Sequence, residues 1–335
     1  MNLSLFYRHP APEYHSIELI FDTVSKYFPD EVNVKKVYAP HKSKGFIKRI
    51  LIGLHARKNQ GNVNHITGDI HFIAPFFKKN KTILTIHDIG SIKSGKFLKD
   101  IILKWFWFDI PLKSVAYVTV ISEFTKQELL KHVKVNPEKV LVIPDCVSPK
   151  FQYKAKEFNT EKPVILQIGT KANKNLPRLI AALKDINCKL VIVGKLNNKQ
   201  TQLLKEYKIE YQNYFDIPDE KLVQLYEQAD IVSFVSTYEG FGMPVIEANA
   251  VGRLVITSDI EPMNTVAGDA ALKVNPYDIA DIRKGILQII ENEELRNRLI
   301  TNGLKNTKKF LSENIAAQYF KIYQKVIQQI NKKRS

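Results

Sequence analysis

Cysteine is scarce in this chain of 335 residues: only Cys146 and Cys188 are present. They lack the close spacing of metal ligands, and nothing in the sequence implies a disulfide between them, so both are expected to be buried or incidental free thiols. Apolar runs are short, none approaching the ~20 residues that cross a bilayer. The opening Met-Asn-Leu-Ser-Leu-Phe-Tyr-Arg-His-Pro lacks the charged-then-apolar order of a signal peptide, and a cytoplasmic protein is expected. No Asp-x-Asp metal motif occurs. Acidic residues are missing altogether from Val32 through Gly68, while Lys35, Lys36, Lys42, Lys44, Lys48, Arg49, Arg57 and Lys58 are all basic.

What is present suits a globular protein of two domains: the length exceeds one comfortable core, and 44% of residues are hydrophobic. The net charge is +16. Residues 1–150 carry 23 Lys+Arg against 13 Asp+Glu, leaving 27 against 21, so +10 of the excess lies in the first half. Such a charge permits nucleic-acid binding, but no helix-turn-helix, RNA-recognition or zinc signature accompanies it, and no nucleic-acid partner is expected. Gly45–Lys58 reads as a basic amphipathic helix. It has two open readings: contact with an anionic membrane surface or a lipid-linked diphosphate, or an ordinary surface helix whose apolar face turns to the core. In Phe97–Phe108 four adjacent aromatics must point all round a helix, so core packing is preferred to an interfacial anchor.

Short β-type segments alternate with helical ones, the signature of doubly wound parallel sheets. One series runs Leu3–Tyr7, Val32–Tyr38, Val63–Thr67, Thr82–His87, Val115–Ile121 and Val140–Pro144, with helices at Ile17–Phe28 and, capped by Ser122, Glu123–His132. A second runs Val164–Gly169, Leu190–Gly194, Glu210–Tyr214, Ile231–Val235 and Leu254–Thr257, with helices at Leu176–Leu183 and Glu220–Gln228. The Lys-rich stretch Ser148–Lys162 separates them as a linker. The expected architecture is two Rossmann-like domains, 1–150 and 163–311, facing a cleft, followed by a helix from Ser312.

The most informative segment is Glu239-Gly-Phe-Gly-Met-Pro-Val-Ile-Glu247. It joins a strand to a helix. Gly240 and Gly242 allow close backbone approach, Pro244 fits the first helical turn, and the exposed N–H groups there suit a diphosphate. Carboxylates on either side would repel phosphate unless they accept from hydroxyls, which suggests a ligand made of sugar, diphosphate and ribose. A second segment, Ile168-Gly-Thr-Lys-Ala-Asn-Lys-Asn-Leu-Pro-Arg178, follows the first strand of the second half and brings Lys174 to the same end, where an ammonium can neutralise a leaving diphosphate. His87-Asp88 ends the strand Thr82–His87.

On these motifs the chain resembles the retaining GT-B glycosyltransferases of family 4 type, the group 1 glycosyl transferases. The resemblance implies a nucleotide-sugar-binding second domain, an acceptor-binding first domain and a last helix, 312–335, that packs back on the first. It implies His87, Lys174 and Glu239 as catalytic groups, with His87 and Glu239 touching the donor sugar and Glu247 holding the ribose hydroxyls. Gly169, Thr170, Lys171, Asn175, Ile217, Gly240, Phe241, Gly242, Met243 and Pro244 complete the donor site. Transfer without a metal or other cofactor is implied, from a UDP- or GDP-sugar to a glycan or lipid-linked glycan in surface polysaccharide synthesis, at the inner face of the plasma membrane. The chain departs from the pattern in two places. Relatives often carry two cations near Lys174, where this chain has Thr170 and Asn173. The loop Arg8–Glu18 lacks the usual glycine-rich turn, and there His15 and Glu18 are placed toward the acceptor by position alone. A sugar phosphorylase, a nucleotide-sugar epimerase, an inactive adaptor of the same fold and a basic nucleic-acid-binding protein are the alternatives.

Overall fold

The computed structural model describes residues 1–10, 16–89 and 104–332. They form two compact units, Met1–Cys146 with Ser312–Ser335, and Val147–Leu311. In the first, β1 (Asn2–Tyr7), β2 (Asn33–Tyr38), β3 (Val63–Ile66), β4 (Thr82–Ile86), β5 (Tyr117–Val120) and β6 (Val140–Val142) make a parallel sheet in the order β2-β1-β3-β4-β5-β6. The central strands read as apolar runs because both faces are covered: β4 is buried at every position. One face is closed by the last helix, Ser312–Lys332, whose Ile315, Tyr319, Tyr323 and Val326 enter the core with Leu3, Leu5 and Phe21. The long period-3.6 apolar stripe of that helix is therefore satisfied within the first unit.

A buried polar chain holds the helix in register. His65 Nδ1 lies 2.8 Å from the Tyr323 hydroxyl, His65 Nε2 lies 2.7 Å from Thr85 Oγ1, and Thr85 and Thr119 share a bond of 2.6 Å. Burial, with the neighbouring His87 adding to it, pushes the His65 imidazole down to about 3, so it is neutral.

The second unit carries β7 (Val164–Ile168), β8 (Lys189–Val193), β9 (Tyr211–Tyr214), β10 (Ile231–Phe234), β11 (Leu254–Ser258) and β12 (Leu272–Val274), all parallel, in the order β12-β11-β10-β7-β8-β9. Helices Leu176–Ala182 and Ile279–Glu291 pack on one face through Leu179, Ile180, Ile282 and Ile286. β12 has no counterpart in the sequence reading, since three residues are too few to show a period.

One expectation is revised. Residues 148–162 do not behave as a linker: they lie along the second unit, where Lys154 pairs with Glu227, Lys156 with Asp230 and Lys162 with Glu210. Their lysines, which made the stretch look solvated, are its attachments. The helix Phe46–Lys58 turns only Ile52, Gly53 and Ala56 inward, leaving most of its apolar side chains outside. Of the aromatic stretch, residues 97–103 lie outside the described residues. In the rest Phe108 is buried, Phe106 and Trp107 pack against the core and Trp105 is exposed.

Candidate functional site

The second sheet reverses its winding between β7 and β10, and ligands of open α/β sheets bind at the C-terminal ends of such neighbouring strands. After β7 the chain turns at Gly169 with φ +89°, and a Cβ there would stand 2.9 Å from Lys174 Cγ. Glycine therefore lets the lysine stem lie across the turn. A short turn, Ala172–Lys174, leads to a left-handed Asn175 at the head of helix Leu176–Ala182. Buried Asn175 donates to the carbonyls of Val235 at 2.9 Å and Pro276 at 2.6 Å and accepts from Arg178 at 2.9 Å. Bonds worth about 1 kcal/mol each offset its backbone conformation. Its amide is thus spent on holding three segments together.

The loop after β10 meets this turn. Thr237 N donates to Asn173 O at 2.8 Å, and Asn173 Nδ2 donates to the Tyr238 carbonyl at 2.9 Å and to Glu239 Oε1 at 3.2 Å. Lys174 Nζ reaches the same carboxylate oxygen at 2.7 Å and lies 4.7 Å from the centre of the Phe234 ring. The Lys174 and Glu239 side chains are 19% and 15% exposed, so the pair is shielded enough for loss of one partner to leave a poorly solvated charge. Gly242, at φ +133°, opens the helix Met243–Val251 with Pro244 in its first turn and no side-chain cap, an arrangement open to an anion. Glu247 follows one turn later and accepts from the Tyr226 hydroxyl at 2.5 Å. Burial pushes its carboxyl up from 4.5 to about 7, against the Tyr226 hydroxyl and the Lys174 ammonium, which favour the charged form. The Lys174 ammonium thus pairs with Glu239 and acts electrostatically on Glu247 as well.

The remaining residues of the motifs divide by burial. Phe241 is buried edge-on against Phe310, whereas Gly240 and Met243 are half-buried. Thr170 donates to the Lys195 carbonyl at 2.7 Å, and its own carbonyl accepts from Gln200 at 2.7 Å, which fixes the turn. Lys171 is exposed, and half-buried Ile217 lies in the loop before helix Asp219–Gln228. Sequence reasoning overlooked Tyr226, and it noted Asn173 only as the residue standing where a cation could be. Both act on partners far along the chain, and no local pattern signals them.

In the first unit, the Thr67 carbonyl accepts from His87 Nε2 at 2.8 Å, which puts a proton on that nitrogen, and His87 Nδ1 lies 3.8 Å from Asp145 Oδ1. Burial opposes the imidazolium, but the Asp145 carboxylate, the Thr67 carbonyl and Asp69 outweigh it and raise the His87 pKa. Glu18 is held by Arg8 through two bonds, 2.8 and 3.1 Å, and Arg8 also pairs with Asp69. His15 lies outside the described residues. Neither Asp145 nor Asp69 was singled out in the sequence.

The family model described as "Glycosyl transferases group 1" matches residues 150–306, and that described as "Glycosyltransferase Family 4" matches residues 11–151. The chain belongs to this glycosyltransferase family. It is 36% identical over 119 residues to O-antigen chain mannosyltransferase B of Escherichia coli, covering 36% of this chain and 31% of that one. To the MMP alpha-(1->4)-mannosyltransferase of Mycolicibacterium hassiacum it is 24% identical over 249 residues, 69% of this chain and 60% of that one. The match thus spans a third to three fifths of the length of these curated relatives. Anabaena Alr3699/HepE, solved with UDP and glucose, superposes with a TM-score of 0.78 at 12% identity, over 96% of this chain and 99% of that one. The two parallel sheets of this glycosyltransferase have the GT-B fold.

Proposed function

We propose that this glycosyltransferase moves a hexose from a nucleotide diphosphate sugar to a glycan or lipid-linked glycan, with retention at the anomeric carbon and without a metal. The observation that carries the reading is the shared position of Lys174, Glu239 and Glu247 at the β7–β10 switch point, beside an uncapped helix start. Glu247 accepts from the ribose hydroxyls and Glu239 from hydroxyls of the sugar. Lys174 and the first-turn N–H groups of Met243–Val251 take the diphosphate, whose negative charge grows as it leaves. Glu239 pairs with Lys174, and an incoming diphosphate competes for that ammonium.

The reaction follows a front-face course. The bond from the anomeric carbon to the β-phosphate oxygen breaks while the acceptor oxygen bonds to the same face of that carbon. The departing phosphate oxygen takes the acceptor's proton, so no enzymic base is needed. The cation and helix start supply the charge stabilisation that a divalent ion provides elsewhere. The first unit carries the acceptor side. Relatives named for O-antigen mannosyl transfer support a role in surface polysaccharide synthesis, and the fold's occurrence with UDP and glucose supports a nucleotide-sugar donor.

The test is NMR observation of UDP- and GDP-hexoses incubated with glycan and lipid-linked acceptors in chelator. A product of retained anomeric configuration is expected. Donor isomerised, or consumed only by phosphate or water, would overturn the reading in favour of an epimerase, phosphorylase or hydrolase.

A further inference from the structure

The helix Phe46–Lys58 is apolar on two opposite sides. Ile52, Gly53 and Ala56 face the core, and Gly53 is needed there because a Cβ would stand 2.4 Å from the Phe76 ring. Arg49 tightens the seat from the flank, its guanidinium 5.1 Å from the Trp107 ring centre and 5.4 Å from that of Phe106. At about 100° per residue, Phe46, Ile47, Ile50, Leu51 and Leu54 fall within one arc of roughly 140° on the other side. These five are exposed, Phe46 by 71% and Ile47 by 73%. An amphipathic helix has one apolar stripe for one core. This one has a second stripe, left in water, about 12 Å long at 1.5 Å per residue.

The surroundings identify what covers it. Lys42, Lys44, Lys48, Arg57 and Lys58 are exposed on the helix and on the turn before it, and no acidic residue occurs from Val32 through Gly68. Trp105, 58% exposed, immediately precedes the Phe106 and Trp107 rings under Arg49 and adds an amphipathic ring of the kind enriched at membrane interfaces. Apolar side chains ringed by cations fit a lipid bilayer with anionic headgroups, into which such a helix sinks its apolar arc while the lysines meet the headgroup charge. No described helix is long and apolar enough to cross a membrane, so the contact is with its surface.

We propose that the outer face of Phe46–Lys58 docks this protein on an anionic membrane surface. The inference goes beyond the transfer reaction and is measured without donor or acceptor, so it stands or falls separately.

The experiment is co-sedimentation of the full chain with phosphatidylcholine vesicles, with and without phosphatidylglycerol, at low and high salt. Binding to the anionic vesicles alone, weakened by salt, is expected. The triple variant Phe46→Ser, Ile47→Ser, Leu51→Ser and the triple variant Lys44→Glu, Lys48→Glu, Lys58→Glu should each lower it by about tenfold or more. Their circular dichroism and melting should match the parent, because the altered side chains are exposed. A control with equal charge change, Lys184→Glu, Lys199→Glu, Lys205→Glu, should keep its binding. Failure of the parent to sediment, equal loss in the control, or undiminished binding by the serine variant would overturn the proposal. So would a parent dimer in analytical ultracentrifugation that the serine variant dissolves while neither binds vesicles, which would assign the face to a second copy of the chain.

Discussion

The two units have sheets of the same kind and spend their polar residues differently. At the switch point of the second unit, between β7 and β10, the charges face one another: one lysine between two carboxylates, one of them with its pKa raised to about 7. In the first unit the comparable groups are tied into the fold, Glu18 and Asp69 by Arg8, and His87 between Thr67 and Asp145. Two carboxylates with one ammonium have acceptor capacity left for ligand hydroxyls, while Lys174 and the uncapped helix start are the groups that attract a phosphate. A set of paired groups instead gives shape. The proposed division of labour, donor chemistry in one unit and positioning in the other, rests on that contrast.

The contrast is broken most forcefully at Lys174. Lys174→Ala or Glu239→Ala should lower transfer by about 10³-fold or more, since each removes a group that acts on charge or sugar in the transition state. Melting curves that stay cooperative would locate the loss in function rather than folding. Near-normal turnover in both would remove the basis for the donor site.

Glu247 gives the next largest effect. Its ionised form is the better acceptor for ribose hydroxyls, so donor affinity should rise with pH through about 7 and flatten above it. Glu247→Gln should weaken donor binding about tenfold or more and abolish the pH dependence, as calorimetric titration across pH would read. The same shift has a stability consequence of opposite sign. A folded-state pKa raised from 4.5 to about 7 means the native protein holds the extra proton between those values. Glu247 therefore costs stability as pH rises through that window, and the variant should lose this fall.

His65 provides the opposing titration in the first unit. Its folded pKa is lowered from 6.5 to about 3, so its contribution is present above 6.5 and is lost as pH falls toward 3. Asp145→Asn should lower the His87 pKa and reduce turnover by about tenfold, with a shifted pH profile and little change in KM for the donor. An unaltered profile would show that the contact is structural only. Smallest of all, Tyr323→Phe should cost about 1 kcal/mol of stability by removing one buried bond to His65, read by denaturant melts of the whole chain.

The difference between the units also explains what could be read from sequence. Both halves announced their parallel sheets through apolar runs alternating with helices, and Glu239–Glu247 was legible because its glycines, proline and flanking elements are local signals. The partners that tune the site are not local. Asn173 reaches Glu239, Tyr226 reaches Glu247 and Asp145 reaches His87 only once the sheets are wound. The Lys-rich 148–162 misled because its acidic partners lie in later elements. Phe46–Lys58 kept two readings open because hydrophobic spacing shows that a face is apolar without showing which side a core occupies.

Lys174, Glu239 and Glu247 are proposed to form a nucleotide-sugar site. Calorimetric titration of UDP- and GDP-sugars into the parent and into Lys174→Ala tests it most directly. Saturable binding of one nucleotide class by the parent is expected, with affinity weakened by about tenfold or more in the variant. Equal affinity in the two proteins, or no binding of either nucleotide class by the folded parent, would contradict it.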